Sequence, residues 1–398
     1  MWTRRESNLG GGFFTPYCYT LSVRIIPKRY LIFMKKIIWT AVVLIIVIIF
    51  IIIGASSSSA PTISTSTPTQ PVFKVGIVLP MTGPAGTLGE ASKKSVELAL
   101  SKFTPDQLKR VEVIYADDQF DPKQTVSVTQ KLIDVDKVNA IIAYSSPSSV
   151  AASYIAEKAS VPMIGLGNST DINGGKQWVV RYMLGPEAQA RAIEQLLLKG
   201  KYKKVAMIWN QSDGPKSVHD QLAKILPAEK YKIVADESVT KSENDFKTSI
   251  AKIRSAKPDV VMAYISPQVG VFAKQARDAG LTVPLVSGPV FEIVDQLKAA
   301  QGALDNQLFV SNDNVPFIDE YFAKYASYPT IAGDYIYDAI TQFAKIAQAD
   351  NTSNTAVMQS LRASFGGVAG SYNYNGDGSF DVVQVVKKWD GEKFVVVK

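Results

Sequence analysis

Short apolar runs alternate with amphipathic stretches from Val72 to the C-terminus. Residues 205–209 are all apolar, which is typical of a strand buried on both faces of a parallel sheet. The stretches between such runs repeat apolar residues at the spacing of one helix face, as in 186–199. The alternation predicts parallel sheets with helices on both faces. The predicted strands are 74–79, 111–116, 140–143, 162–165, 204–209, 231–237, 260–264, 284–287 and 308–310.

A single unbroken sheet of this many strands is unusual, so we expect two Rossmann-like α/β lobes, each with its own parallel central sheet. The tail from Ser371 onward has the pattern of a turn and a terminal hairpin. The predicted helices are 89–103, 123–134, 149–159, 186–199, 217–226, 246–257, 269–279 and 317–325.

An uncharged run, residues 37–53, precedes this region and consists mostly of Ile and Val. As a helix it extends roughly 26 Å, near the lower limit for spanning a bilayer. We expect an uncleaved membrane anchor over 37–54, with the basic segment 1–36 in the cytoplasm and the remainder exported. A cleaved signal peptide is the alternative, because the small residues of 55–60 offer processing sites.

Met34, followed by two lysines and the apolar run, has the usual form of the start of an export segment. Met34 is therefore an alternative true start, and Cys18 is then absent from the protein. Residues 55–71 are rich in Ser, Thr and Pro and uncharged, which predicts a flexible linker.

Composition places the chain among globular proteins, with 46% hydrophobic residues in 398. The net charge of +7 is concentrated at the N-terminus, because residues 1–71 carry +6 and the remainder only +1. The exported part therefore has no strongly basic surface, and we expect no nucleic-acid partner.

The chain has one histidine, His219, and one cysteine, Cys18. These counts exclude an intramolecular disulfide and metal sites built from His/Cys clusters. Ser-His-Asp catalysis would depend on His219, which lies in a predicted exposed helix with no nucleophile-elbow motif nearby. We expect no enzymatic activity, no cofactor and no metal.

Polar loops follow three strands of the first lobe, at 80–89, 144–149 and 166–170. In open parallel sheets, ligands bind beyond the carboxyl ends of the strands. Hydroxyls and unpaired amides at helix N-termini suit a carboxylate or another small anion. These three loops together predict a small-molecule site.

Four segments carry a family resemblance: 73–84 at the domain start, 117–124 after the second strand, the serine loop 145–149, and 274–281. With them the sequence resembles type I periplasmic binding proteins, in particular the branched-chain amino acid (leucine/isoleucine/valine) binding branch of ABC transporters, over nearly all of residues 72–398. Of these four segments, 117–124 is the most specific to this family.

The resemblance implies two lobes joined by three crossing segments, which close over a small solute and perform no chemistry. The crossings are expected near 181–184, 310–313 and 367–370. The expected lobes are 72–182 with 313–368 for lobe one, and 183–312 with 369–398 for lobe two.

The resemblance also implies site residues in lobe one. Ser146 matches the serine that holds the ligand carboxylate. Gly167 and Ser169 match a backbone carbonyl and a hydroxyl near the carboxylate and ammonium groups. Leu88 stands where the family has an aromatic contact, which removes a stacking surface.

In lobe two the resemblance places Asp213, Tyr264 and Glu292 in the ligand-facing region. The acid that pairs with the ligand ammonium is expected at about Val290, an apolar residue here. A buried ammonium without a carboxylate is costly. Either Glu292 or Asp213 replaces the missing acid, or the solute is not an α-amino acid.

The family's disulfide positions correspond to Phe120 and Ser145, so that cross-link is absent. The implied partners are a small amino-acid-like solute and an ABC permease, and the protein is expected to be a monomer. Two other functions compete: a ligand-sensing ectodomain that works with a separate signalling partner, and an enzyme on an α/β scaffold.

Overall fold

The structure is a computed structural model that describes residues 71–397. Its strands are mostly short, apolar and buried, as the sequence pattern predicts. They are β1 (Phe73–Leu79), β2 (Val111–Asp117), β3 (Ala140–Tyr144), β4 (Met163–Leu166), β5 (Val179–Arg181), β6 (Lys204–Asn210), β7 (Lys232–Val239), β8 (Val260–Tyr264), β9 (Leu285–Ser287), β10 (Leu308–Asn312), β11 (Phe365–Gly367), β12 (Gly370–Tyr374), β13 (Phe380–Val382), β14 (Gln384–Trp389) and β15 (Phe394–Val396).

Several helices begin at a side chain that accepts a hydrogen bond from the first turn. Asp121 accepts from Lys123 N, and Ser353 accepts from Ala356 N. Short 3₁₀ turns lie at Gly83–Ala85 and Pro289–Glu292. The α-helices are α1 (Gly86–Leu100), α2 (Pro105–Leu108), α3 (Pro122–Asp134), α4 (Ser146–Ala159), α5 (Pro186–Lys199), α6 (Asp213–Ile225), α7 (Lys247–Ala256), α8 (Val269–Asp278), α9 (Val294–Ala300), α10 (Val315–Tyr325), α11 (Gly333–Ile346) and α12 (Asn354–Leu361).

Two larger sheets organise these elements. The first has the order β2-β1-β3-β4-β5 and is parallel throughout. The second has the order β15-β14-β10-β9-β8-β6-β7, in which β6 to β10 are parallel and β14 is antiparallel to both its neighbours. The parallel strands of the second sheet, read from its β7 edge, have the order β7-β6-β8-β9-β10. Both sets of five parallel strands therefore have the order 2-1-3-4-5 when each is numbered from its own first strand. This order leaves a crevice at the carboxyl ends of the first and third strands, where ligands bind in such sheets.

The chain passes between these sheets three times within the described range. It leaves the first sheet after β5, and after β10 it returns to α11, which packs against α1 and β3. A small antiparallel sheet of β11, β12 and β13 precedes the last passage, into β14. The ring of Tyr182, just after β5, lies 5.3 Å from that of Tyr372 and 5.1 Å from that of Phe380, so aromatic packing ties this small sheet to the first passage.

The architecture confirms the predicted α/β fold, with two lobes of parallel sheet and crossings between them. The residues at which the lobes begin and end stay predictions. Several elements were not predicted: the strands β5 and β11, the long helix α11, and the short helices α2, α9 and α12. Strand β5 has only three residues, too few to show a period, whereas the apolar residues of α11 do recur at helical spacing.

In the described residues no helix has both the length and the apolar character needed to cross a membrane. The predicted cytoplasmic segment 1–36 and anchor 37–54 lie outside the described residues, as does nearly all of the linker 55–71.

Candidate functional site

Four buried polar side chains connect the carboxyl ends of the two sheets. Ser146 Oγ donates to Asn168 Oδ1 at 3.0 Å, and Asn168 N donates to Ser146 Oγ at 3.1 Å. Asn168 Nδ2 then donates to Tyr264 OH at 3.4 Å, and Tyr264 OH donates to Gln189 Oε1 at 2.7 Å. We call Ser146, Asn168, Gln189 and Tyr264 the polar cluster. Because Ser146 and Asn168 follow β3 and β4 whereas Tyr264 ends β8, the cluster bridges both sheets.

Ser146 is the first residue of α4, and the residue before it holds an unusual backbone conformation. Ser145 has φ 78° and ψ 155°, a region that is populated essentially by glycine. Its side chain accepts a hydrogen bond from Ser148 N at 3.4 Å. The strained turn directs the start of α4 toward Asn168, and strain of this kind is concentrated at binding sites.

The first turns of α4 and α6 meet at this cluster. Gly214, the second residue of α6, lies so close that a Cβ on it would be 2.6 Å from Asn168 Oδ1 and 3.2 Å from Ser146 Oγ. Gly167 approaches the same place from β4, where a Cβ would be 2.6 Å from Ser146 Cα. Glycine at both positions allows backbone and side chains of the two sheets to approach closely.

Three of the predicted site residues come together here: Ser146, Gly167 and Tyr264. Ser169 is buried one residue beyond Asn168, but its hydroxyl accepts from Asp171 N at 3.3 Å in a local turn. Leu88 is half-buried in α1 and packs against the core. Neither of these two side chains is bonded to the polar cluster.

The Glu292 carboxylate pairs with the Lys387 ammonium. Both side chains are buried, and Lys387 Nζ also donates to Asn314 Oδ1 at 2.6 Å and to Asn312 O at 3.2 Å. Asn314 Nδ2 donates to Asp334 Oδ2 at 2.7 Å. Burial raises the pKa of Glu292, against the opposing attraction of Lys387. The Glu292 carboxylate is thus engaged in a network between β14, the end of β10 and α11.

Asp213 begins α6 next to Gly214, and its side chain is exposed. Desolvation of the carboxyl and the charge of Asp171 raise its pKa, while Lys241 acts in the opposite direction. It lies near the polar cluster along the chain but forms no hydrogen bond with it.

Sequence reasoning missed Asn168, Gln189 and Gly214. Asn168 lies between Gly167 and Ser169 in the loop after β4, and both neighbours were predicted site residues. Its position in the chain could therefore have identified it as a site residue. Gln189 lies within α5, and nothing in the sequence distinguishes it from other polar helix residues.

The prediction of an exposed His219 is wrong. The side chain is buried, with Nδ1 3.0 Å from Asp220 Oδ1 and Nε2 3.0 Å from Asp236 Oδ2, and the ring stacks on Trp209. Burial lowers the pKa of His219, but the hydrogen bonds to Asp236 and Asp220 raise it by more. This group ties α6 to β6 and β7.

Within residues 71–397, no group of three or more His, Cys, Asp or Glu side chains is arranged to hold a metal ion. The chemistry of the polar cluster itself is hydrogen bonding by hydroxyl and amide groups. Such a set can hold and orient a small polar molecule.

A family model described as periplasmic binding protein matches residues 72–381. An amino acid binding protein of Pseudomonas aeruginosa is 27% identical over 237 residues, which cover 57% of this chain and 63% of that protein. A Leu/Ile/Val-binding protein homolog of Brucella suis is 26% identical over 301 residues, covering 68% of this chain and 75% of that protein. The match therefore spans less than two thirds of the Pseudomonas relative's length.

Solved structures share the fold. The isoleucine complex of a branched-chain amino acid transporter substrate-binding protein from Streptococcus pneumoniae has a TM-score of 0.72 at 24% identity, covering 82% of this chain and 99% of that one. The benzoate complex of an ABC transporter solute-binding protein from R. palustris has a TM-score of 0.74 at 22% identity, covering 82% and 95%. The family model covers most of this chain, and we conclude that it belongs to the periplasmic binding protein family.

Proposed function

We propose that this protein captures a small polar, amino-acid-like solute between its two sheets and delivers it to the permease of an ABC importer. The observation that carries the proposal is the polar cluster, which joins the carboxyl edges of two parallel sheets of the same strand order. Ligands of such sheets bind at these edges. Membership of the periplasmic binding protein family supports the same proposed function.

Binding requires the cluster to open. Its longest hydrogen bond is the 3.4 Å contact from Asn168 to Tyr264, which is also the one that crosses between the sheets. A solute that inserts there takes over the hydrogen bond that Asn168 Nδ2 donates to Tyr264 OH. The closed form is then favoured by the difference in solute affinity between closed and open forms.

The first turn of α4 is the proposed anchor for a solute carboxylate. Its backbone N–H groups carry the positive end of the helix dipole, and Ser146 adds a hydroxyl donor. Gly167 and Tyr264 complete the proposed contacts. Leu88, Ser169 and Asp213 stay predictions from the resemblance, and Glu292 is left out because Lys387 already occupies its carboxylate.

We extend the proposal to an extracytoplasmic location, with residues 37–54 as a membrane anchor, on the sequence alone. If this is right, the full chain stays with the membrane fraction after alkaline washing and a chain lacking 37–54 is released. Release of the full chain, or a mature N-terminus within 55–60, contradicts the anchor.

A thermal-shift screen of the full chain against amino acids, amides and short organic acids tests the binding function. A solute at 100 times its Kd stabilises the folded state by about 2.7 kcal/mol. Calorimetry of the best solute then compares the wild type with Ser146→Ala. Loss of a hydrogen bond to a charged group, roughly 1.5–3 kcal/mol, predicts an affinity about 10- to 150-fold lower.

Ser153→Ala is the matched control, because Ser153 lies buried in the same helix and its hydroxyl donates to Val150 O at 2.8 Å. We expect that variant to bind like the wild type. Equal affinities of the wild type and Ser146→Ala would contradict the placement of the site.

A further inference from the structure

We infer, on the basis of the proposed function, that the solute is a small monocarboxylate that lacks an amino group. The polar cluster consists only of uncharged side chains. Ser, Asn and Gln do not ionise, and burial raises the pKa of Tyr264, so its hydroxyl stays neutral. These groups can donate hydrogen bonds to a carboxylate, but they offer no counter-charge to an ammonium.

The backbone around the cluster favours a negative guest. The N-termini of α4 and α6, helices of 14 and 13 residues, meet where Gly214 approaches Ser146 and Asn168. Each helix N-terminus carries about +0.5 of an elementary charge, so two of them together attract an anion and repel a cation.

A spare donor lies in the same turn. Ser148 is buried in the first turn of α4, and its hydroxyl has no hydrogen-bond partner within the described residues. An unpaired buried hydroxyl is uncommon, and a bound carboxylate is a partner of the right chemistry. The unpaired Ser148 hydroxyl is a separate feature from the two helix dipoles.

The carboxylates that could balance an ammonium are otherwise engaged or exposed. Glu292 pairs with Lys387 in a buried network. Asp213 is exposed and lies within the electrostatic influence of Lys241 as well as of Asp171. Val290 is buried and apolar. An ammonium enclosed beside the polar cluster would therefore lose its hydration without gaining an ionic partner, which is unfavourable.

Matched pairs of solutes test the inference on the full chain in mild detergent. Calorimetry compares L-leucine with 4-methylpentanoate, and L-phenylalanine with 3-phenylpropanoate, together with the amides of the two acids. We expect the better-fitting deaminated acid to bind at least 100-fold more tightly than its amino acid and at least tenfold more tightly than its amide.

The outcomes separate this inference from the proposed function. An amino acid that binds more tightly than its deaminated partner overturns the inference and leaves the solute-binding function intact. An amide that binds as tightly as its acid overturns the requirement for a negative charge on the solute. Failure of every acid, amide and amino acid to bind overturns the proposed function, and the inference with it.

Asn168→Asp provides a second test, because it adds a negative charge to the cluster with little change in shape. We expect this variant to bind the carboxylate solute at least tenfold more weakly and to raise the affinity of the amino acid relative to that of its deaminated acid. Asn139→Asp is the matched control: Asn139 precedes β3 at the opposite end of the sheet and its Oδ1 accepts from Lys74 N at 2.8 Å. An Asn168→Asp protein that binds both solutes like the control contradicts the inference.

Discussion

Lys387 is the residue whose removal best tests the buried network between the two sheets. Its side chain is 0% exposed, and its ammonium is held by the Glu292 carboxylate, Asn314 Oδ1 and Asn312 O. Lys387→Met keeps the length of the side chain and removes the charge. Glu292 is then a buried carboxylate without its cation.

The expected cost is large. Removing one partner of a buried ion pair destabilises a protein by about 3–5 kcal/mol, whereas whole domains have unfolding free energies of about 5–15 kcal/mol. We expect the variant to fold, with a melting temperature lower by roughly 6–10 °C at about 2 °C per kcal/mol for a chain of this size. Glu292→Gln combined with Lys387→Met removes the orphaned charge, and we expect it to recover much of the loss.

Denaturant unfolding at pH 7 and at pH 5 measures these effects. Burial already raises the pKa of Glu292, and loss of Lys387 raises it further. A carboxyl with a raised folded-state pKa contributes stability that is fully present below its unfolded pKa and is lost as the pH rises through the folded value. The cost of Lys387→Met must therefore shrink toward pH 5.

Lys388→Met is the control on the same strand, because Lys388 is only half-buried and donates to Asn306 Oδ1 at the surface. We expect it to change the unfolding free energy by less than about 1 kcal/mol. If Lys387→Met costs no more than Lys388→Met, or if its cost is the same at both pH values, the reasoning about the buried charge is refuted.

Three further predictions concern α4, α6 and their surroundings. Because the pKa of His219 is raised in the folded state, this group contributes stability that is fully present below about pH 6.5 and is lost as the pH rises through its folded-state pKa. We expect His219→Gln to abolish this decline, as measured by denaturant unfolding at several pH values. Ser145→Gly relieves a strain of roughly 1–3 kcal/mol at a cost of about 0.5–1 kcal/mol in backbone entropy, so its unfolding free energy rises by about 1 kcal/mol. Gly214→Ala places a methyl group against Asn168, and calorimetry then finds an affinity for the solute at least tenfold lower.

Each of these three has an outcome that contradicts it. A pH dependence that survives in His219→Gln shows that Asp220 and Asp236 do not act through this histidine. Destabilisation by Ser145→Gly shows that the turn before α4 is not strained. Unchanged affinity in Gly214→Ala shows that α6 does not close against the solute.

The alternation of strands and helices was sufficient to predict the two parallel sheets, because buried parallel strands produce apolar runs that are easy to distinguish. Helix α11 was predictable in principle: Ile336, Ala339, Ile340 and Phe343 recur at the spacing of one helix face, so the helical period is present in the sequence although the prediction omitted it. Strand β5 was too short for any period to appear.

The site was only partly predictable. Ser146 and Gly167 lie where strand ends and helix starts are expected to place a ligand, so local pattern and resemblance both point to them. The pairing of Glu292 with Lys387 depends on two segments far apart in the chain, and local sequence does not encode that contact. The same holds for His219, whose neighbour Asp236 comes from β7.

Hydrogen exchange of the full chain, with and without the solute found by screening, tests the central claim most directly. If the solute is enclosed between the two sheets, its addition slows exchange of the backbone amides in the first turns of both α4 and α6. Slower exchange in only one of these turns, or in neither while the solute is bound, would contradict capture between the sheets.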